Sequence, residues 1–287
     1  MNIKSPLSHR NTEPEKSTLY VVGTPIGNLN DISFRALDVL KRVSYIACED
    51  TRQTSKIMNK FNIKNNLISF NNHNSYKKIP NLINDLKSGM SIALVSDAGM
   101  PAICDPGEDL INIAKTNGLE TICIPGPSAA LTALVSSGLS SSKFIFEGFL
   151  PKKNIEREKI IKEISQNKKT TILFEAPHRL HRLLNELRIY CGGEREIHIC
   201  RELTKKFEEH LWNSLDNVIE TLKEKNIIGE ITIVIKGLNK DENIQLDEAN
   251  LRDELCDLID AGLSLTSASK YLARKHNLKK SLIYNLY

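Results

Sequence analysis

This sequence predicts an α/β layered fold, and three observations carry that expectation. Short β-branched and aromatic runs at 19–22, 45–47, 67–70, 92–95 and 121–124 alternate with amphipathic stretches, the pattern of a mainly parallel sheet with helices on its faces. A second series follows, with strand-like runs at 144–146, 170–174, 196–201 and 231–236. The length of 287 residues, 40% hydrophobic and 26% charged, suits two ordinary α/β domains and rules out wholesale disorder or a disulfide-stapled miniprotein.

Taken in order, residues 1–17 are polar and charged with no apolar stretch. They read as a disordered tail without a secretory signal, which points to the cytoplasm. A first domain is placed at 18–125, where Ile32, Leu37, Leu40 and Val43 fall near one helical face and 79–86 carries a similar stripe that stops at Gly89. The uncharged run 121–142 contains Pro125, Gly126, Pro127 and Gly138, so it reads as strand, loop and helix rather than a membrane span. A second domain occupies 126–237, with helices near 154–165, 177–190 and 215–225. The aperiodic acidic segment 238–250 reads as a linker, and helix patterns at 251–260, 265–276 and 280–287 form a C-terminal module. There Leu265, Ala268, Leu272 and Ala273 face a small core that Leu278, Leu282 and Ile283 extend.

A net charge of +4, from 39 basic and 35 acidic residues, is too balanced to identify a nucleic-acid partner. The distribution says more, because Lys270, Arg274, Lys275, Lys279 and Lys280 close the chain with no acidic residue among them. The six cysteines make no CxxC pair and lie mostly in apolar runs. They read as reduced core residues, and neither a zinc site nor a redox dithiol follows from their spacing.

The turn Gly23-Thr24-Pro25-Ile26-Gly27-Asn28 joins a buried strand to a helix, but its glycines match neither GxGxxG nor a P-loop, which disfavours a dinucleotide site and an NTPase. The loop Ser96-Asp97-Ala98-Gly99-Met100-Pro101, continuing to Asp105-Pro106-Gly107, follows a strand at the sheet edge where open α/β folds bind ligands. Asp97 reads there as functional and Asp105 as a turn or helix cap. In Pro125-Gly126-Pro127-Ser128-Ala129-Ala130, Pro127 fits a first helical turn and the small side chains leave room for a ligand. Cys48-Glu49-Asp50-Thr51-Arg52 and Phe174-Glu175-Ala176-Pro177-His178-Arg179 each gather acids and bases after a strand, although a cap at Asp50 or a surface ion pair at Arg179 is equally open. Asn71-Asn72-His73-Asn74 adds an imidazole after a third strand, and the single tryptophan argues against an RNP-like sheet reader.

Together with residues 19–29 and Glu147-Gly148-Phe149-Leu150-Pro151, these blocks resemble the cytidine 2′-O-methyltransferases of bacterial small-subunit ribosomal RNA, a family within the tetrapyrrole methylase superfamily. The resemblance runs from Leu19 to the C-terminus. It implies two α/β domains of the tetrapyrrole methylase type, a small C-terminal helical module, and S-adenosylmethionine held in the cleft between the domains. The implied partner is 16S rRNA in its decoding region, within the 30S subunit, the enzyme being a homodimer that needs no metal. Cofactor contacts carry over to Pro25, Gly27, Asp97, Gly99, Ile103, Ser128, Ala129, Gly229 and Glu230. The resemblance supplies no agreed base, so Asp50 is nominated for proton removal with His178 in reserve. Arg52 and Arg179 are assigned to RNA phosphates, as are Lys270, Arg274, Lys275, Lys279 and Lys280. Three positions depart from the family pattern: Met100 replaces a threonine, Ala176 a serine, and Ser75 an acid. Competing readings are a small-molecule methylase of the same superfamily, which has no need of the basic C-terminal module, and a non-catalytic ribosome assembly factor, which would not bind S-adenosylmethionine.

Overall fold

The computed structural model describes residues 13–238, 248–275 and 280–287. The chain forms two compact units, one ending at Gly237 and one beginning at Leu238. The boundary expected near residue 125 thus falls inside a single unit that contains two sheets.

The first sheet takes β1 (Thr18–Val22), β2 (Tyr45–Cys48), β3 (Leu67–Ser69), β4 (Ile92–Val95) and β5 (Glu120–Ile124) in the order β3-β2-β4-β1-β5. Its pairings are all parallel. Between the strands run α1 (Phe34–Arg42), α2 (Thr51–Lys60), α3 (Ser75–Lys87) and α4 (Glu108–Thr116). Strand alternation sorts the core: Tyr20, Val22, Ala93 and Val95 pack beneath α1 and α2, whereas Leu19, Ile92 and Leu94 pack beneath α3 and α4. Ser33 starts α1 by accepting the Ala36 N–H at 3.1 Å.

The second sheet is mixed rather than mainly parallel. After α5 (Ala129–Ser137) come β6 (Phe144–Phe149), α6 (Asn154–Gln166), β7 (Thr170–Glu175), α7 (Leu180–Cys191), β8 (Glu196–Arg201), β9 (Glu209–Ser214), α8 (Leu215–Leu222) and β10 (Ile231–Ile235). The order is β6-β7-β10-β8-β9, with only β6 and β7 parallel. One face packs on α6, α7 and α8 through Leu173, Ile199 and Ile233. The other packs on α5 through Ile172, Cys200 and Val234. Pro127 lies before α5 rather than in its first turn, because Ser128 is the N-cap.

Residues 13–17 are ordered, contrary to the expected tail. The Glu13 carboxylate is buried and receives both Nε and Nη2 of Arg35 at 2.8 and 2.7 Å. The expectation for residues 1–12 lies outside the described residues. Cys48, Cys191 and Cys200 are buried as expected of core thiols, but Cys104 and Cys123 are exposed.

The second unit contains α9 (Glu248–Asp260), α10 (Leu265–Lys275) and α11 (Lys280–Tyr284) around Leu255, Ala268, Leu272, Ala273 and Ile283. Leu265 is partly buried against this core. Most of the expected linker, together with His276, Leu278 and Lys279, lies outside the described residues, as does the Leu282 side chain. No helix of the described residues is long and apolar enough to cross a membrane.

Candidate active site

The first sheet's topology sets where the site can form. The chain leaves β1 past β4 to reach β2 and leaves β4 past β1 to reach β5, so two connections of opposite direction cross at the neighbouring strands β4 and β1. Open α/β sheets bind ligands at such a switch point, beyond the C-terminal strand ends. The two loops meet there in an isolated antiparallel bridge, in which Thr24 N–H donates to the Gly99 carbonyl at 2.8 Å and Gly99 N–H to the Thr24 carbonyl at 3.1 Å. Gly23 and Gly126 pass so closely that a Cβ on Gly23 would lie 2.7 Å from the Gly126 Cα, closer than any side chain tolerates.

Beyond this junction opens a cleft of about 370 Å³. The loop after β4 contributes Gly99, Met100, Ile103 and Asp105, and the start of α5 contributes Ser128 and Ala129. The second sheet supplies aromatic and aliphatic walls, Phe149, Phe174 and Ile231, and the backbone of Gly229-Glu230. The loop after β4 is strained as well as irregular: Ala102 and Cys104 have φ of 66° and 65°, and Gly99 has 75°. Positive φ at non-glycine residues costs of order 1–3 kcal/mol each and concentrates at functional sites.

The cleft fits S-adenosylmethionine on two grounds. Its walls combine the aromatic rings of Phe149 and Phe174, suited to a purine, with the polar groups of Asp105, Ser128 and Thr232. Ser128 makes no side-chain cap on α5, so the first-turn amides of that helix lack the usual protein acceptor and suit a carboxylate. Gly99, Ile103, Ser128, Ala129, Gly229 and Glu230 are the residues that would hold the cofactor. Pro25, Gly27 and Asp97 do not line the cleft, and Ile26 takes the first loop's place there. Pro25 is buried, and Gly27 packs on Thr204 and Lys205, beside the 3.0 Å bond from Asn28 N–H to Thr204 Oγ1.

Carboxylates concentrate where β2 and β4 end. Asp97 is exposed and accepts the Asp50 N–H at 3.0 Å. Partial loss of water around its carboxyl, then the charge of Asp50, pushes Asp97 up against the pull of the Asp50 N–H; burial, then Asp97, does the same to Glu49. Asp105 moves furthest, pushed up to about 6 by burial and next by Glu49, with the Ser96 hydroxyl partly offsetting this. Asp105 is therefore no helix cap: Gly107 occupies the N-cap of α4, and Asp105 faces the cleft.

Asp50 changes role in the other direction. It is the N-cap of α2, accepting the Arg52 N–H at 2.8 Å, and its Oδ2 accepts from Arg52 Nη2 at 2.6 Å. Hydrogen bonding to Arg52 holds its carboxyl down at about 2, which makes it a poor proton acceptor. Arg52 itself stays exposed beside a polar hollow of about 380 Å³ that Glu49, Asp50, Ser69, Asn72 and His73 also line.

On the second sheet Glu175 is buried at the end of β7 between two cations, with Arg157 Nη2 at 3.2 Å and Arg179 Nη2 at 2.6 Å. Arg179 is thereby committed to an internal ion pair, contrary to its assignment to phosphate. Periodicity along the chain does not reveal this pair, because it closes through a short 3-10 turn, Pro177–Arg179. His178 is exposed on that same turn, whose Pro177 lines the cleft. In the second unit Lys270, Arg274, Lys275 and Lys280 are exposed, but Lys275 is paired with Glu254 of α9 at 3.0 Å, so this cation is not free of acidic neighbours.

A family model described as Tetrapyrrole (Corrin/Porphyrin) Methylases matches residues 18–219. Proteins named ribosomal RNA small subunit methyltransferase I match along nearly their whole length. The one from Synechocystis sp. is 42% identical, covering 93% of this chain and 96% of its own. The one from Halalkalibacterium halodurans is 41% identical, covering 95% of each. Among solved structures, uroporphyrin-III-C-methyltransferase from Thermus thermophilus superposes with a TM-score of 0.55 at 16% identity, over 76% of this chain and 94% of that one. A cobalt precorrin-4 methyltransferase does so with a TM-score of 0.56 at 15% identity, over 77% and 95%. At these identities the two structures speak for the fold alone. The chain belongs to the tetrapyrrole methylase family, within the group formed by its ribosomal RNA small subunit methyltransferase I relatives.

Proposed function

We propose that this methyltransferase transfers the methyl group of S-adenosylmethionine to the ribose 2′-hydroxyl of a cytidine in the decoding region of 16S rRNA. The observation that carries the reading is the similarity, at 41% and 42% identity over at least 93% of the chain, to proteins named for methylating small-subunit rRNA. The 2′-hydroxyl specificity rests on the motif blocks described for the sequence and on the chemistry of the carboxylates. The cofactor, when bound, supplies an electrophilic methyl on a sulfonium, so the protein's task is to align the hydroxyl and remove its proton.

Asp105 is the proton acceptor in this reading. With its carboxyl pushed up to about 6, it is ionised near neutrality yet more basic than an ordinary aspartate. Glu49 lines the neighbouring polar hollow and raises Asp105 through its charge, so the hollow and the cleft are electrostatically joined. The hollow receives the target nucleoside, with Arg52 on a flanking phosphate and Asn72 and His73 beside the base. Asn71 is occupied in its own turn, accepting the His73 N–H at 3.1 Å. Lys270, Arg274 and Lys280 add phosphate contacts from the second unit, the substrate being an assembled 30S subunit and the enzyme a cytoplasmic homodimer.

Nucleoside mass spectrometry of small-subunit rRNA, from cells lacking the protein and from cells complemented with it, tests this. Loss and return of one 2′-O-methylcytidine is expected. Unchanged ribose methylation would overturn the assignment, and loss of a base methylation instead would leave the family intact but reject the acceptor.

A further inference from the structure

The pairing of β8 with β9 gathers three metal-ligand side chains that lie apart in the sequence. His198 and Cys200 alternate on β8 and so share a face, and Cys200 stands opposite His210 on β9. That face packs on α5, since Cys200 belongs to the α5 core cluster. His198 Nε2 lies 3.0 Å from His210 Nδ1, and Cys200 Sγ lies 3.5 Å from the same nitrogen. Each of the three offers one ligand atom, and all three atoms fall within 4.8 Å of one another. They are the one such group among the described residues. No CxxC spacing marks it, because strand register rather than chain spacing assembles it.

We propose that His198, Cys200 and His210 form a binding site for a borderline-soft divalent metal ion, of which Zn²⁺ is the type. The donor set is two imidazoles and a thiolate, which zinc accepts in tetrahedral sites with water in the fourth position. Glu208 supplies the outer support that such sites need: its carboxylate lies 2.7 Å from His210 Nε2, fixing that nitrogen as the protonated one and leaving Nδ1 as a lone pair aimed at His198 and Cys200. Without an ion the Nδ1 lone pair accepts from one neighbour and the Cys200 thiol has Ser136 Oγ at 3.7 Å as its other partner, whereas a cation engages all three ligand atoms together. His198 and Cys200 are buried and His210 is exposed, so an ion has an entry path from the His210 side. On binding, the Cys200 S–H bond breaks, its proton leaves to solvent, and a sulfur–metal bond forms with no change in oxidation state.

The ion's place in the fold indicates what it does. The loop between β8 and β9 carries Leu203 onto the cleft and Thr204 onto the first loop. A metal tying the two strands at the base of that loop braces one wall of the cleft while standing apart from the carboxylates. It acts as a structural staple on an exposed sheet edge.

The test uses the full-length, metal-stripped protein titrated with Zn²⁺ and, as a spectroscopic probe, Co²⁺. One equivalent of Co²⁺ per chain should give the visible bands of tetrahedral cobalt together with a near-ultraviolet thiolate-to-cobalt band, and Zn²⁺ should displace it and raise the thermal midpoint. Cys200→Ala and His210→Ala should each abolish the thiolate band or weaken binding at least tenfold, and Cys123→Ala should leave it unchanged. Because His210 is exposed, His210→Ala keeps the test valid even where Cys200→Ala disturbs the core. Absence of the thiolate band in the parent protein would overturn the proposal, leaving a plain His198–His210 hydrogen bond. A band that survives both Cys200→Ala and His210→Ala would overturn it too, as would uptake of Cu⁺ but neither Zn²⁺ nor Co²⁺.

Discussion

Asp105 and Glu175 are both carboxylates lining one cleft beyond the strands of a sheet, yet the fold treats them in opposite ways. Glu175, from the mixed sheet, is sealed between Arg157 and Arg179 and further fixed by the Ala176 N–H at 2.8 Å. Asp105, from the parallel sheet, has no cation paired with it among the described residues and feels the charges of Glu49 and Asp97, its carboxyl being pushed up to about 6 by burial and next by Glu49. An arginine clamp makes a carboxylate a fixed structural charge. Burial among like charges makes it a base. The difference explains how one cleft can have a rigid wall and a reactive one.

The comparison can be broken most forcefully at Glu175. Glu175→Ala strips Arg179 of its carboxylate and leaves Arg157, itself buried, with Glu186 alone at 2.6 Å, which should cost about 3–5 kcal/mol of stability in chemical denaturation. A loss below about 1 kcal/mol, the worth of a surface pair, would show that the clamp is not structural.

Asp105 should fail in chemistry rather than in folding. Asp105→Asn should lower single-turnover methylation by about 100-fold or more with cofactor affinity nearly unchanged, the usual scale of a lost general base. In the parent enzyme the rate should fall as pH drops through about 6, where Asp105 gains its proton. The same raised value has a stability consequence of known sign. A folded-state value above the unfolded one, near 3.9, contributes stability that is present below about 4 and lost as pH rises through about 6. Asp105→Asn should therefore gain roughly 1 kcal/mol at pH 7 after allowance for solvent screening, measurable in the same denaturation experiment. An active Asp105→Asn enzyme with an unmoved pH profile would remove Asp105 from the reaction.

Much of this was legible along the chain, because the strands of the parallel sheet are short buried runs whose side chains alternate between two helical layers. The edge strand β9 was not. Glu209-His210-Leu211-Trp212-Asn213-Ser214 is polar and largely exposed, so no apolar period marks it. Missing β9 also hid the approach of His210 to Cys200. The Asp105-Pro106-Gly107 sequence resembles a turn or helix cap, whereas Gly107 with φ of 146° makes the turn and frees the aspartate. The pairing of Arg179 is not legible from charge alone, because nothing in the sequence marks the burial of its partner Glu175.

Truncation after Lys236 sharpens the comparison between the two compact units. It should preserve cofactor binding while weakening 30S binding and flattening its salt dependence by about two to three phosphate contacts, one for each of Lys270, Arg274 and Lys280 that meets a phosphate. Equal affinity of both forms across a salt titration would assign the second unit another role. The smallest effect belongs to Asp50. Asparagine is as good an N-cap as aspartate, so Asp50→Asn should change stability by only a few tenths of a kcal/mol. The methylation rate should stay within about twofold, and a large loss of rate would restore Asp50 as the base.

The Thr24–Gly99 bridge also gives the cleft a clock. Both amides are buried, and each donates to the other residue's carbonyl, so neither can meet solvent unless the two loops part together. In hydrogen–deuterium exchange the two sites should consequently report one opening event, with matching protection factors, although they stand 75 residues apart in the chain. That shared factor measures the free energy of unlatching the floor of the cleft, and a ligand that binds only the latched form should raise both values by the same amount.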